Sequence, residues 1–443
     1  MSRRHKSIPV GHFPAQIDSL SHDGRGIAHI NGKTTFISGS LPNETVNFRY
    51  ISQQKRFDEG ITVEVVNPSP MRIAARCAHF GVCGGCSLQH VAAADQIALK
   101  QAMLLELLEH VGKVQAEEIA PPLQAEVWGY RRKARLGVKY VQKKQSLLVG
   151  FREQQSGFLA ELSRCEVLHP SVGERIQIFR DVFETLQARE SIAQIEVAVD
   201  DTHTALVIRN MVSLPAADLQ ILRDFAKQYD FHLFLQPKGI DSVTPLYPEN
   251  QPVLGLRYEL PEQGVSFQFA PSDFTQVNAP INRLMVAQAL EWLEPQADET
   301  VLDLFCGLGN FTLPLAKRAA NVVGVEGDAG LLARAEMNAH AQEIRNVYYY
   351  TANLADPKLQ QAWMPGRYQK ILLDPPRSGA AEIIQALPFK DTQRIVYVSC
   401  NPATLARDAG ILVHEKGFRL KRVGVMDMFP HTAHVESMAL FER

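Results

Sequence analysis

The chain has 443 residues, of which 46% are hydrophobic and 21% charged, and a formal net charge of -2. That length accommodates two or three domains, and that balance excludes a fibre or a disordered chain. The N-terminal run MSRRHKSIPVGHFPAQ is basic but leads into no apolar h-region, and no stretch reaches the roughly 18 consecutive apolar residues of a membrane span, so a cytoplasmic protein without membrane association is expected. The six cysteines are too few and too unevenly spaced for a disulfide framework and are read as ligands or nucleophiles.

Basic residues cluster twice. One cluster is Arg3, Arg4 and Lys6; the other runs from Tyr130 to Gln145 with Arg131, Arg132, Lys133, Arg135, Lys139, Lys143 and Lys144 and no acid. Such a patch either neutralises phosphates or forms an ordinary solvated face.

In chain order, the segments AQIDSL, GIAHI, TTFISG, ETVNFRYI and GITVEVV, each bounded by Gly, Pro, Asn or Asp, predict a small β-barrel over residues 10–70. The words SLSHDGRGIAHI and FISGSLPNETV resemble the TRAM domain, an OB-like RNA-binding barrel attached to RNA-modifying enzymes. A barrel without a ligand is the alternative. A cysteine-bearing segment follows, and then a helix from Val91 to about Val111 whose Ile97, Leu104, Leu107, Leu108 and Val111 recur at helical spacing and read as core.

Mixed strands and helices such as IEVAVD, ALVIRN and HLFLQP predict a central, substrate-facing α+β domain, made of residues 71–92 and 125–265. Residues 93–124 and 266–443 are assigned to the last domain. There VLDLF, NVVGVE, VYYYTAN, KILLDPP and RIVYVSC are short Val/Ile/Leu-rich runs at βα intervals, which predicts a parallel sheet covered on both faces. The closing runs LKRVGVMDMF and HVESMALFE have no helix between them and are expected to pair antiparallel. That ending fits an α/β fold of the class I, Rossmann-like methyltransferase type better than a dinucleotide-binding domain.

The strand Val301 to Phe305 runs into CGLGNFTLPLA, where Gly307 and Gly309 permit a tight turn against a ligand before a helix expected near Asn310. A dinucleotide fingerprint wants a third glycine where this chain has Thr312. Glu326 ends the next strand, and Asn353 and Asp374 end the two after it, so their side chains are expected around one crevice. Taken singly, each of these polar residues is open to a capping or turn role.

Together, DLFCGLGNF, VEGD, TANL and LLDPPR resemble the cofactor motifs of the RNA uracil-5 methyltransferase family. The resemblance implies that Phe305, Asn310, Glu326, Asn353 and Asp374, joined by Gln276 of FTQVN, contact S-adenosylmethionine. Cys306, inside the same motif, is read as a packing residue.

Carbon 5 of uracil is a poor nucleophile, so an enzyme methylating it first adds a group to carbon 6, a task that suits a thiolate. Cys400 ends RIVYVSC and is followed by Asn401 and Pro402, an N-cap residue and a first-turn proline. The sulfur is thus expected at a helix N-terminus, one of the settings that lowers a thiol pKa. The segment VSCNPATLARD resembles the family's nucleophile motif, which implies that Cys400 is the nucleophile and Asp374 lies beside it. Arg377 follows the double proline, where amino-group methyltransferases carry an aromatic residue. Glu436 in HTAHVES is, by the family's C-terminal motif, the general base that removes the carbon 5 proton; His431 and His434 flank it and are read as structural or RNA-contacting.

Cys77, Cys83 and Cys86 form C-x5-C-x2-C, with Cys165 far downstream. Four thiolates hold either a cubane iron-sulfur cluster or a tetrahedral zinc. Three grouped ligands and one remote favour [4Fe-4S] over the paired doublets usual for zinc, and the family's iron-sulfur members share that arrangement. The resemblance spans nearly the whole chain and points to the bacterial branch, acting on 23S ribosomal RNA, that combines the TRAM barrel with the cluster. A monomer is expected. A catalytically silent RNA-binding protein and a redox sensor on the same fold are the competing readings.

Overall fold

The computed structural model describes residues 8–443, so Arg3, Arg4 and Lys6 lie outside it. The described chain forms two compact units. The first comprises residues up to Lys100 with Arg152–Phe158 and Phe429–His434, and the second comprises Gln101–Phe151, Leu159–Met428 and Val435–Arg443.

The first unit holds a six-stranded sheet of Phe13–Gln16, Ser19–Leu20, Gly26–Ile30, Lys33–Ser38, Thr45–Gln53 and Phe57–Asn67. Phe13–Gln16 pairs with one end of the strand order and Ser19–Leu20 with the other, so one bent chain segment joins both edges and closes the barrel. Alternation places Ile37, Val46 and Phe48 inside, fully buried. Gly60 faces the Phe48 ring so closely that a Cβ there would lie 2.4 Å from it. Below the barrel, Arg72 grips the buried Glu44 carboxylate with two hydrogen bonds of 2.5 and 2.7 Å.

The second unit carries a mixed sheet with Lys133–Val141, Ile192–Val199, Thr204–Asn210 and Phe231–Leu235 at its centre. The acid-free basic segment lies partly in this sheet, and its cations divide: Lys139 and Lys143 are exposed, whereas others meet acids or turn inward. Arg132 pairs with Asp201 at 2.6 Å, Arg135 with Glu196 at 3.5 Å and Lys144 with Glu161 at 3.1 Å, while Lys133 is turned inward. Acids from elsewhere in the chain meet the basic run, which its own stretch of sequence does not reveal.

The same unit contains the sheet that positions the candidate site. Its strands are β1 (Thr300–Leu304), β2 (Asn321–Glu326), β3 (Val347–Thr351), β4 (Lys370–Leu373), β5 (Arg394–Ser399), β6 (Arg419–Met426) and β7 (Glu436–Glu442), in the order β3-β2-β1-β4-β5-β7-β6 with Glu118–Ile119 added at the edge. The first five run parallel. Helices α1 (Ala279–Leu293), α2 (Thr312–Ala316), α3 (Ala329–Ala341), α4 (Ala381–Ala386) and α5 (Pro402–His414) accompany them. Leu302, Val322, Ile371 and Val396 on the central strands are buried, as expected where both faces of a parallel sheet are covered. The last two strands pair antiparallel, as their sequence predicts, but β7 also inserts between β5 and β6.

Candidate active site

The central strands end at one level. Leu304 of β1 lies beside Val325 of β2 and Leu373 of β4. The next residues, Phe305, Glu326 and Asp374, therefore line one carboxyl edge at the roughly 4.8 Å spacing of adjacent strands. Phe305 leaves the sheet in the left-handed region, with a φ of 64°, a conformation that costs a non-glycine residue about 1–3 kcal/mol and clusters at functional sites. Gly307 and Gly309 follow with φ of 55° and 89°. A Cβ on Gly307 would meet nothing within 4 Å, so the turn faces open space that a ligand can enter.

Glu326 fixes this turn. Its Oε2 accepts from Gly307 N at 3.0 Å, and its Oε1 accepts from Gly327 N at 2.6 Å and Asp328 N at 2.9 Å. Asn310 is locked sideways: its amide exchanges two hydrogen bonds with the Asn282 amide of α1, at 2.9 and 3.0 Å, and its Oδ1 also accepts from Tyr258 Oη at 3.1 Å. Neither Asn282 nor Tyr258 was recognisable in the sequence, although a buried asparagine on an apolar helix face is the available signal. The helix after the turn begins at Thr312, two residues beyond the expected start. Thr312 Oγ1 donates to Asp303 Oδ2 at 2.5 Å, so the residue replacing the third glycine tethers the helix to β1. Cys306 is buried, and its sulfur and the Tyr349 ring fill the space a side chain at Gly324 would need.

The remaining cofactor candidates are placed less uniformly. Gln276 lies partly exposed in the loop before α1. Asn353 is exposed and its Oδ1 accepts from Ala355 N at 3.2 Å, closing a local turn. Burial, and secondarily the charge of Glu326, pushes the Asp374 carboxyl up to about 7.

Cys400 is positioned by the inserted strand. Ser399 of β5 faces Ser437 of β7, and one residue further in the same register Cys400 faces Glu436. Asn401 then caps α5, accepting from Ala403 N at 3.2 Å, with Pro402 at the first helical position. Its Nδ2 donates to Arg377 O at 2.9 Å, which ties the DPPR loop to the helix start.

The helix terminus does not lower this thiol. Burial first, then Glu436 and Asp374, push Cys400 up to about 11, against the pull of Arg377. A helix dipole contributes at most about 2 kcal/mol, little more than one pKa unit, and desolvation with two carboxylates outweighs it.

A sequence model of the family described as tRNA (Uracil-5-)-methyltransferase matches residues 254–443. Over 440 residues, and 99% of each chain, the protein is 52% identical to the 23S rRNA (uracil(1939)-C(5))-methyltransferase of Methylococcus capsulatus. The chain belongs to the RNA uracil-5 methyltransferase family. The corresponding protein of Hahella chejuensis is 51% identical over 448 residues, covering 100% of both chains. The fold is that of the Pyrococcus abyssi tRNA (uracil-54, C5)-methyltransferase solved with S-adenosyl-L-homocysteine, with a TM-score of 0.72 at 21% identity over 97% of this chain and 100% of the other. As an RNA uracil-5 methyltransferase the protein is an enzyme with S-adenosylmethionine as its methyl donor.

Two further groups of candidate residues of this methyltransferase belong wholly or partly to the first unit. His431, at a φ of 66°, is buried; its N donates to Gln96 Oε1 at 2.7 Å and its carbonyl accepts from Ser87 N and Leu88 N. That is a structural role. His434 packs on Phe429 with ring centroids 5.3 Å apart. Cys77, Cys83 and Cys86 occupy an irregular, turn-rich segment, where Cys83 N donates to His79 O at 2.9 Å and Cys83 Sγ accepts from Gly85 N at 3.4 Å. Cys165 belongs to the second unit, where its N donates to Gly173 O at 2.9 Å. All four are partly exposed. Among the described residues, no group of three or more His, Cys, Asp or Glu side chains is arranged to hold a metal ion.

Proposed function

We propose that this enzyme methylates carbon 5 of uracil 1939 in 23S ribosomal RNA, the reaction for which its full-length relatives are named, with Cys400 as nucleophile and Glu436 as base. The observation that carries the reading is the pairing of β5 with β7, which faces Cys400 with Glu436 beside the Asp374 strand end. Open space at Gly307 and the adjoining Glu326 and Asp374 carboxyls suit a cationic nucleoside, so Gln276, Phe305, Asn310, Glu326, Asn353 and Asp374 are assigned to the donor site.

S-adenosylmethionine, when bound, supplies an electrophilic methyl group. Cys400 must first lose its proton, and Asp374, raised to about 7, is the acceptor; the transfer from a thiol at about 11 is uphill and is drawn forward as the sulfur bonds to carbon 6. The Cys400 thiolate then bonds to carbon 6, sending the ring π pair onto carbon 5 and its carbonyl as an enolate. Carbon 5 takes up the methyl group with that pair, and the pair of the broken carbon–sulfur bond stays on the donor sulfur, which leaves as a neutral thioether. Glu436 removes the remaining carbon 5 proton, and the freed pair restores the ring double bond as the Cys400 sulfur departs. Arg377 provides the positive charge that favours both the thiolate and the enolate.

The barrel and the central sheet are the natural surfaces for RNA, and a looped, splayed-out uracil is the form such chemistry requires. Because one chain supplies every proposed catalytic group, we read it as acting as a monomer, in the cytoplasm where ribosomal RNA is made. No helix among the described residues is long and apolar enough to cross a membrane. Mapping 5-methyluridine in 23S RNA from cells lacking this gene, and from the same cells expressing Cys400→Ala, tests the assignment. Position 1939 is expected to be unmethylated in both, and methylation retained there in both strains contradicts it.

We further propose that Cys77, Cys83, Cys86 and Cys165 hold a [4Fe-4S] cluster. The support is the spacing of the thiols and the amide hydrogen bond to Cys83 Sγ, a contact that tunes cluster sulfurs. No catalytic step depends on it, so its role is structural. Anaerobically purified protein is expected to contain iron and acid-labile sulfide at about four atoms each per chain; zinc without sulfide overturns the proposal.

A further inference from the structure

The geometry points to Lys133 as a positioning residue for the methyl-donor site, clamping the base of the loop that presents Gln276. This inference rests on the reading of Gln276 as a donor contact.

The loop joins the strand Val265–Phe269 to α1 and is gripped at both ends by residues 131–133. At its far end Arg132 N donates to Val277 O at 2.8 Å, and Arg131 pairs with Asn278, the N-cap of α1. At its near end Lys133 Nζ donates to Pro271 O at 2.5 Å and also to Asp273 O. The Asp273 side chain fastens the same end, accepting from Ala270 N at 2.8 Å and pairing with Arg334 of α3 at 2.6 Å. What is left between the two grips is the apex, where Phe274 is 68% exposed and Gln276 follows two residues later.

A lysine is a costly way to pack a sheet. Its side chain is only 15% exposed, its nearest carboxylate is Glu196 at 3.7 Å, and Glu196 is shared with Arg135. Burial, ahead of the opposing pull of Glu196 and Asp273, brings the ammonium down to about 8. A methionine would fill the same volume without that penalty, but it leaves two loop carbonyls without a donor. The two hydrogen bonds to main-chain oxygens are what the lysine adds, and both fall on the loop that ends in Gln276. Displacing such a loop by an ångström is enough to lose a contact without unfolding the sheet.

The test is a double-mutant cycle on the full-length enzyme, with S-adenosylmethionine affinity measured calorimetrically for Lys133→Met, Gln276→Ala and the pair. Each single change is expected to weaken binding by roughly tenfold, and the double variant is expected to bind no worse than Gln276→Ala within about twofold, because both act through one contact. Amide exchange in Phe274–Gln276 should quicken in Lys133→Met more than in the neighbouring strands Ile192–Val199 and Thr204–Asn210. If Lys133→Met binds the donor as the wild type does while Gln276→Ala does not, or if the two losses add, the clamp is refuted. If Gln276→Ala binds normally, the reading of Gln276 fails and the clamp loses its purpose with it. Should Lys133→Met not fold, Arg334→Gln releases the same end of the loop through Asp273, and unaltered donor affinity there overturns the inference.

Discussion

Asp303 lies fully buried on β1, just before the glycine turn, with Oδ2 bonded to Thr312 and Oδ1 without a hydrogen-bond partner. Burial, reinforced by Asp374 and Glu326, pushes its carboxyl up to about 8 despite the Thr312 hydrogen bond. An unfolded aspartate ionises near 3.9, so between these values the folded chain holds a proton that the unfolded chain has lost. Stability is therefore greatest below the unfolded pKa and falls as pH rises toward the folded one. The ligand-free enzyme is expected to melt at a lower temperature at pH 8 than at pH 5, and Asp303→Asn should gain on the wild type steadily over that interval. Differential scanning calorimetry across the range checks this, and parallel curves for the two proteins would refute it. Asp303 was not recognised as unusual in the sequence, because VLDLF does not reveal which face of β1 its carboxyl meets or what lies there. The sign of the Cys400 shift escaped for the same reason: the helix cap is local, whereas the opposing carboxylates arrive from two other strands.

Among the elements, the short apolar runs of the second half correspond closely to the strands formed, with RIVYVSC giving Arg394–Ser399 and NVVGVE giving Asn321–Glu326. Period and composition suffice there because a doubly covered parallel strand is apolar throughout. The insertion of β7 between β5 and β6 was not legible, since antiparallel pairing of the last two runs leaves open which of them touches β5. That one topological fact faces Cys400 with Glu436. The loop carrying Asp374 and Arg377 is in turn held by α5: Asp408 Oδ2 accepts from Ala380 N and from Tyr397 Oη, each at 2.7 Å, while Oδ1 pairs with Arg407. Removing this fully buried carboxylate strands two donors, each worth about 1–3 kcal/mol when left unsatisfied. Asp408→Ala is expected to destabilise the enzyme by about 2–5 kcal/mol in urea unfolding, and a loss below about 0.5 kcal/mol, the usual surface value, contradicts that role.

At the scale of the whole chain, the barrel was readable from short strand segments bounded by turn residues, and the family from motifs at strand ends, where chemistry demands particular side chains whatever the surrounding packing. Composition left the basic run at 130–145 open between a phosphate patch and a solvated face, because the acid that pairs with Arg132 and the loop that takes up Lys133 come from distant segments. The proposed reaction turns on a sulfur that bonds to the pyrimidine and is later released. Incubating the enzyme with S-adenosylmethionine and a 5-fluorouridine-substituted RNA fragment, then digesting and locating the cross-linked peptide by mass spectrometry, tests it most directly, because fluorine on carbon 5 blocks the proton removal assigned to Glu436. The expected result is a stable adduct carrying one methyl group on the peptide containing Cys400, absent from Cys400→Ala; an adduct on any other residue, or undiminished trapping by that variant, contradicts the account.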